Sequence, residues 1–171
     1  MKINNVSITS LSALNFDLAV TKPISILRGE HSSLALDLIR EVTGDYNAKN
    51  DPNGVDDGRF IIHTDIEIEG KNYSVCYIRN ADFIGDNRIA VNFKPDSIEF
   101  SKDDTMEFIE KCKEIGADNR PVFIYQDDSI ENNGGISLLE SLAGTGRQVF
   151  VAQPLNAPVI NHSSAENLIF E

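Results

Sequence analysis

Two short runs of consecutive apolar residues constrain the fold of this chain more than any other feature. The runs 122–125 and 149–151 lack the apolar–polar alternation of a strand that has one face in water. Such runs are typical of strands that are buried on both faces of a parallel sheet. Helical spacing from Ile136 to Ala143, with a stop at Gly144, lies between them. The order strand, helix, strand predicts a parallel sheet and an α/β fold.

The rest of the chain predicts further strands and two further helices. Alternation or short apolar runs indicate strands at 3–8, 16–20, 24–27, 60–68, 73–78, 89–93 and 168–170. The runs 60–68 and 73–78 flank a turn and predict a hairpin. Helical spacing follows Ser32 as far as Val42 and follows Ser101 as far as Ile115. We therefore expect a mixed, mainly parallel sheet together with an antiparallel, β-rich N-terminal and middle part.

Length and charge limit the classes of protein that need be considered. The 171 residues predict one compact domain over 1–171, in which the polar segment 45–58 forms a mobile surface loop. The net charge of −12 argues against direct binding of nucleic acid and against an anionic membrane surface. No apolar run is long enough for a membrane span, and the N-terminus has no signal-peptide pattern. Two cysteines in apolar patterns fit buried thiols in the cytoplasm.

The segment 24–42 carries the strongest local signal for chemistry. An apolar strand leads into the turn Gly29-Glu30-His31-Ser32-Ser33, and a helix follows. The N-terminus of a helix after a tight turn presents backbone N–H groups and a positive dipole end, which suits a phosphate. The alternative is a plain strand-to-helix turn in which Ser32 or Ser33 caps the helix.

At these residues the chain resembles the ABC/SMC-type P-loop ATPases, particularly their RecF-like branch. The loop of that family reads G-x-N-G-x-G-K-[ST], where this chain has Gly29 to Leu36. Ser101 occupies the place of the signature serine, Gln126 and Asp127 follow a Walker B-like strand, and Gln153 lies near the switch histidine position. The resemblance implies a P-loop NTPase-like three-layer core.

The departures from the family pattern indicate a degenerate Walker A loop. Ala35 stands in place of the lysine that reaches the phosphates, and Leu36 in place of the hydroxyl residue that binds Mg²⁺. Leu34 replaces the glycine that lets the backbone approach the phosphates. The nucleotide-binding residues Gly29, Glu30, His31, Ser32 and Ser33 and the Walker B-like Gln126 and Asp127 are therefore vestigial by this interpretation.

Other chemistry has weaker signals. The segment 45–58 is rich in acidic and amide residues, but no register fits an EF-hand, so a solvated loop is favoured over a metal site. Asp127 and Asp128 could form a general base or a metal site at the end of a strand, and the alternative is a solvated turn. His31, His63 and His162 have no metal-ligand spacing. We expect no metal site.

Three functional hypotheses follow. The first is a catalytically inactive, pseudo-ATPase domain that needs no cofactor and acts as a binding or regulatory module for a protein partner. That partner is an ATPase-like subunit or a second copy of the chain, and the acidic charge favours a basic one. The second is an ATPase subunit that binds ATP with Mg²⁺ and is completed by a partner chain. The third is an unrelated enzyme that uses Asp127, Asp128 and His31.

Overall fold

The computed structural model describes residues 1–10, 15–43, 59–80, 88–92, 102–125, 139–157 and 159–169. The described strands are β1 (Lys2–Ser10), β2 (Phe16–Ala19), β3 (Ile24–Arg28), β4 (Arg59–Ile68), β5 (Lys71–Asn80), β6 (Arg88–Asn92), β7 (Val122–Tyr125), β8 (Val149–Gln153) and β9 (Ala165–Ile169). The helices are α1 (Ser32–Val42) and α2 (Lys102–Glu114). A short 3-10 helix spans Ala117–Asn119, and residues 139–143 are helical.

Five strands form an antiparallel sheet in the order β2-β1-β4-β5-β6. Alternate side chains of β1 from Val6 to Ser10 face the core, and a register shift between Ile3 and Asn5 lets Ile3 be buried as well. The turn between β4 and β5 places Glu69 at φ 52° and Gly70 at φ 81°. Two successive residues with positive φ match the twist of a tight hairpin, which explains the glycine at the second position. The predicted hairpin is confirmed.

The other four strands form a parallel sheet in the order β7-β8-β3-β9. Every residue of β3 and of β8 is buried, as expected for central strands of a parallel sheet. The predicted α/β class, with a parallel sheet beside an antiparallel part, is therefore confirmed. The last strand begins at Ala165, earlier than the apolar run 168–170 predicts, because Ala165 is its single buried residue and the polar Glu166 and Asn167 follow it.

Helix α1 lies between the two sheets. It packs on β3, β7 and β8, and Tyr77 of β5 donates a 2.8 Å hydrogen bond from its hydroxyl to the buried carboxylate of Glu41. One core cluster accordingly joins apolar side chains of α1 to those of β1, β4, β5 and β8. Burial of this helix on two sides fixes the position of its N-terminus at the edge of the parallel sheet.

A second core cluster covers the opposite face of the parallel sheet. It contains Ile26 and Val151 from the central strands, Leu139 from the helical residues 139–143, and Ile160. His162 Nε2 lies 2.5 Å from Glu140 Oε1, which joins the segment before β9 to these helical residues. Within the described part of the chain, the parallel sheet therefore has helical structure on both faces.

Candidate functional site

The carboxyl ends of the parallel strands meet at one edge of the sheet, which we call the carboxyl edge. The register pairs Arg28 with Gln153 on one side and with Ile169 on the other, and it pairs Tyr125 with Ala152. The turn Gly29–Ser33 follows β3 directly. Ligands of open parallel sheets bind at this edge, so the predicted nucleotide-binding residues lie where such a site belongs.

Three donors of the turn after β3 form hydrogen bonds inside the protein. The backbone N–H of Gly29 donates to the carbonyl oxygen of Gln153 at 3.1 Å, and the hydroxyl of Ser32 donates to the same oxygen at 2.9 Å. The N–H of Ser32 donates to the carbonyl of Gly29 at 3.3 Å. The N–H of Gly29 and the hydroxyl of Ser32 thus face β8, and the N–H of Ser32 is bonded within the turn. A phosphate at this turn would have to replace those internal bonds.

The prediction that Ser32 or Ser33 caps α1 is wrong. His31 is the N-cap residue, and its side chain makes no capping hydrogen bond. Ser32 is buried and directs its hydroxyl to β8, while Ser33 and Glu30 are exposed and His31 is half-buried. The hydroxyl of Ser32 satisfies a strand-end carbonyl in the core, and this use takes it away from the helix terminus.

Arg28 and Gln153 form a buried polar link at the carboxyl edge. Both residues are almost fully buried. The guanidinium of Arg28 donates to Gln153 Oε1 at 2.6 Å and to the carbonyl of Leu155 at 3.2 Å, and it also donates to the carbonyl of Ala157. A planar guanidinium suits three acceptors that lie in different directions. Arg28 thereby holds the loop after β8 against the end of β3.

Ala35 and Leu36 are fully buried in the core cluster around α1. These positions match the phosphate-binding lysine and the Mg²⁺-binding hydroxyl residue of the family pattern. Their side chains contribute to packing, and an ammonium or a hydroxyl there would be placed among apolar neighbours at a large desolvation cost. The packing of α1 therefore depends on aliphatic groups at both positions.

Tyr125, at the end of β7, connects this edge to the outer side of α1. Its hydroxyl donates to Asp37 Oδ1 and accepts a 3.5 Å hydrogen bond from Arg40 Nη1. The Arg40 guanidinium also lies 5.8 Å from the centre of the Tyr125 ring, within cation–π range. Burial, and then the hydrogen bond to Asp37, raise the pKa of Tyr125. The hydroxyl is therefore neutral at physiological pH and acts as a donor.

Large apolar side chains are exposed at the carboxyl edge. Tyr125 at the end of β7 is 39% exposed, Leu155 just after β8 is 48% exposed, and Ile169 at the end of β9 is 62% exposed. Val159, in the segment between Leu155 and β9, is 55% exposed. Tyr125 and Leu155 follow the adjacent strands β7 and β8, whereas Ile169 ends β9 at the opposite side of the sheet. Exposed apolar groups of this size are more typical of a surface that contacts another molecule than of a phosphate site.

Several residues predicted for the site lie outside the described residues. They are Ser101, Gln126, Asp127 and Asp128, together with the segment 45–58. His31, His63 and His162 lie on three different elements, at the start of α1, in β4 and before β9. Among the residues that the structure describes, no three His, Cys, Asp or Glu side chains form a group that could hold a metal ion. Nor does this part of the chain contain a helix long and apolar enough to cross a membrane.

The roles of Arg28, Asp37 and Arg40 were not predicted from the sequence. A basic residue at the end of a mostly apolar central strand, as in Ile24–Arg28, is a signal that could have indicated a buried guanidinium. Asp37 and Arg40 are three residues apart on α1 and thus on one face of the helix, but nothing in their spacing identifies Tyr125 as the partner.

Comparison with known proteins gives a distant structural likeness. The structure of the recombination mediator protein RecF-ATPrS in the RecFOR pathway is similar to this chain at 10% sequence identity and a TM-score of 0.42. The likeness covers 74% of this chain and 32% of that chain, so this chain spans about a third of its length. No protein-family model and no curated protein matches this chain.

Proposed function

We propose that this chain is a catalytically inactive binding module whose carboxyl edge contacts a protein partner with a positively charged surface. The exposed side chains of Tyr125, Leu155 and Ile169 at this edge carry the proposal. They occupy the end of the sheet where a nucleotide would be bound in an active P-loop protein. Contact with a partner would remove their apolar surface from water and so stabilise the complex.

The hydrogen bonds of the turn after β3 support a role without nucleotide. Gly29 N–H and the Ser32 hydroxyl both donate to Gln153. Ala35 and Leu36, where a lysine and a Mg²⁺ ligand would stand, are part of the core. A triphosphate at this turn would lack a lysine of the chain's own Walker A loop, and the exposed Glu30 would repel it.

The negative charge of the chain supports the proposal that its partner is basic. The net charge of −12 speeds encounters with a basic surface and disfavours acidic ones. Partners of this kind include an ATPase-like subunit with a basic face. A second copy of the chain carries the same negative charge, so a homodimer is less compatible with this charge.

The alternative function is nucleotide binding completed by a partner chain. The first N–H groups of any α-helix lack intrahelical acceptors, so α1 retains some capacity to bind an anion. This alternative requires that the hydrogen bonds from Gly29 and Ser32 to Gln153 break when nucleotide binds. Tight nucleotide binding by the chain together with its partner would favour it.

The test compares tagged chains recovered from the source cell. The variants Leu155→Asp and Ile169→Asp place a charge on the carboxyl edge at exposed positions, where the fold tolerates it. Met106→Asp is the matched control, because Met106 is 53% exposed on α2, away from this edge. Co-purified proteins are identified by mass spectrometry and quantified, and circular dichroism verifies the fold of each variant.

The proposal predicts a basic protein that binds the parent chain and the Met106→Asp variant but is lost from both edge variants. Purified partner should then bind the parent chain in a titration, with at least tenfold weaker binding to Leu155→Asp. Equal recovery with every variant would contradict the assignment of this edge. A second copy of the chain with a different tag is expressed in the same cells. If this copy is the protein that is recovered and no basic protein is, the partner is a second copy of the chain and the proposal of a basic partner is wrong.

A further inference from the structure

A cavity of about 350 Å³ opens at the amino ends of the parallel strands, opposite the carboxyl edge. Its walls include residues just before β3 and β8, the start of β1 and the end of the helical segment 139–143. We call it the amino-edge cavity. None of the nucleotide-binding residues of the family pattern lines it, so it is independent of the proposed partner surface.

Three cationic side chains line the amino-edge cavity: Lys2, Lys22 and Arg147. Arg147 donates from Nε to the carbonyl of Arg120 and from Nη2 to the carbonyl of Ala117, both at 2.8 Å. Lys22 Nζ donates to the carbonyl of Ala165 at 3.3 Å. Neutral carbonyls thus orient two of the three cations, and neither cation forms an ion pair with a described carboxylate.

The described residues pair none of these three cations with a carboxylate. Two acids lie near these cations. Glu67 stands opposite Lys2 in the register of β1 and β4. The two oxygens of Glu166 already accept from the N–H and hydroxyl of Thr21, the N–H of Lys22 and the hydroxyl of Ser25. Its charge is therefore stabilised by four neutral donors beside the cavity. Among the described residues, the lining contains no Asp or Glu. In a chain with 27 acidic and 15 basic residues, three cations without an acid at one cavity are unexpected.

We infer that the amino-edge cavity binds the phosphate group of a small molecule. A phosphate dianion offers several oxygens to surrounding cations, whereas a single carboxylate carries one charge and fewer acceptors. The volume falls at the lower end of the ~300–1,000 Å³ range of small-molecule sites, so the ligand is no larger than roughly a nucleotide. The exposed lysines supply attraction, and Arg147, fixed by two carbonyls, supplies orientation.

The experiment titrates the ¹⁵N-labelled chain with inorganic phosphate at constant ionic strength and follows backbone amide shifts. We expect saturable shifts at Thr21, Lys22, Gly146 and Arg147, which line the cavity. Acetate, a monoanion, serves as the control ligand and should shift these amides at least tenfold less at equal concentration. A synthetic acidic peptide is titrated in parallel.

The variants Lys2→Gln and Lys22→Gln should each weaken phosphate binding about fivefold, the factor that corresponds to about 1 kcal/mol. Lys113→Gln is the matched control, since it removes the same charge from an exposed position on α2. Unsaturated or absent shifts at the cavity would overturn the inference, as would equal weakening by all three variants. Saturable binding of the acidic peptide without binding of phosphate would overturn the ligand class.

Discussion

The hydroxyl of Ser32 donates a 2.9 Å hydrogen bond to the carbonyl oxygen of Gln153, a residue 121 positions further along the chain. This bond is buried, and it joins the first turn of α1 to the carboxyl end of β8. The hydroxyl of Ser32 lies in the turn where a phosphate loop would bind its ligand, but here it donates to another part of the same protein. The turn after β3 is thus a structural joint in this protein.

The Ser32→Ala variant tests this joint. The substitution removes the hydroxyl of Ser32 and leaves the buried carbonyl of Gln153 with one donor fewer. We therefore expect the free energy of unfolding to fall by about 1 kcal/mol relative to the control. Ser33→Ala is that control, because Ser33 is the adjacent, exposed residue of the same helical turn and gains the same helix propensity on substitution. Urea unfolding measures both variants. Equal stabilities would show that the hydroxyl of Ser32 contributes nothing to the joint.

Much of the fold could be predicted because burial leaves a pattern in the sequence. The apolar runs at β7 and β8 identified the parallel sheet, and alternation identified β1 and the β4–β5 hairpin. The start of β9 could not be found this way, since Ala165 is its single buried residue and no run precedes Leu168. The order of the strands is a property of tertiary packing and has no local signal.

The candidate site was less predictable, for a different reason. The sequence located the turn at Gly29–Ser33 correctly at the end of a strand, but it could not show that Ser32 faces Gln153. The same hydroxyl can cap a helix or satisfy a distant carbonyl, and only the position of β8 decides between the two. The expectations for Ser101, Gln126 and Asp127 remain predictions.

Restoring the family pattern at α1 should damage the fold. The double variant Ala35→Lys and Leu36→Ser places an ammonium in the core and removes most of a buried leucine. Leucine truncation in a core costs about 2–5 kcal/mol, and burial of an unpaired charge adds to this cost. We expect a loss of at least about 3 kcal/mol of unfolding free energy and no ATP hydrolysis.

Ser33→Lys is the control for the double variant. It adds the same positive charge two positions earlier in the helix, at an exposed residue, and should change stability by less than about 0.5 kcal/mol. Urea unfolding and a phosphate-release assay are the measurements. A double variant as stable as the parent, or one that hydrolyses ATP, would contradict the structural role of Ala35 and Leu36.

The buried thiol of Cys112 predicts how stability depends on alkaline pH. Burial raises its pKa from 9.0 to about 12. The folded protein therefore keeps this proton where the unfolded chain releases it, so the free energy of unfolding falls as pH rises through that window. The fall attributable to this group is at most about 1.4 kcal/mol per pH unit.

The Cys112→Ala variant should show a shallower fall than the parent between pH 9.0 and about 12 in urea unfolding at several pH values. Cys76→Ala is the comparison, because burial raises the pKa of this half-buried thiol as well, in the same direction. We expect it to change the slope less. Parallel curves for the parent and the Cys112→Ala variant would show that the thiol is not protected in the folded state.

We propose that the carboxyl edge does not bind a nucleotide. Isothermal titration calorimetry of the purified chain with Mg-ATP tests this proposal most directly. We predict no heat of binding up to millimolar nucleotide, and no increase in thermal stability over a control with Mg²⁺ alone. Ligand at about 100 times its Kd would add about 2.7 kcal/mol to the free energy of unfolding, which such a control detects readily. Saturable binding of Mg-ATP that is weakened by substitutions in the turn Gly29–Ser33 would contradict the claim.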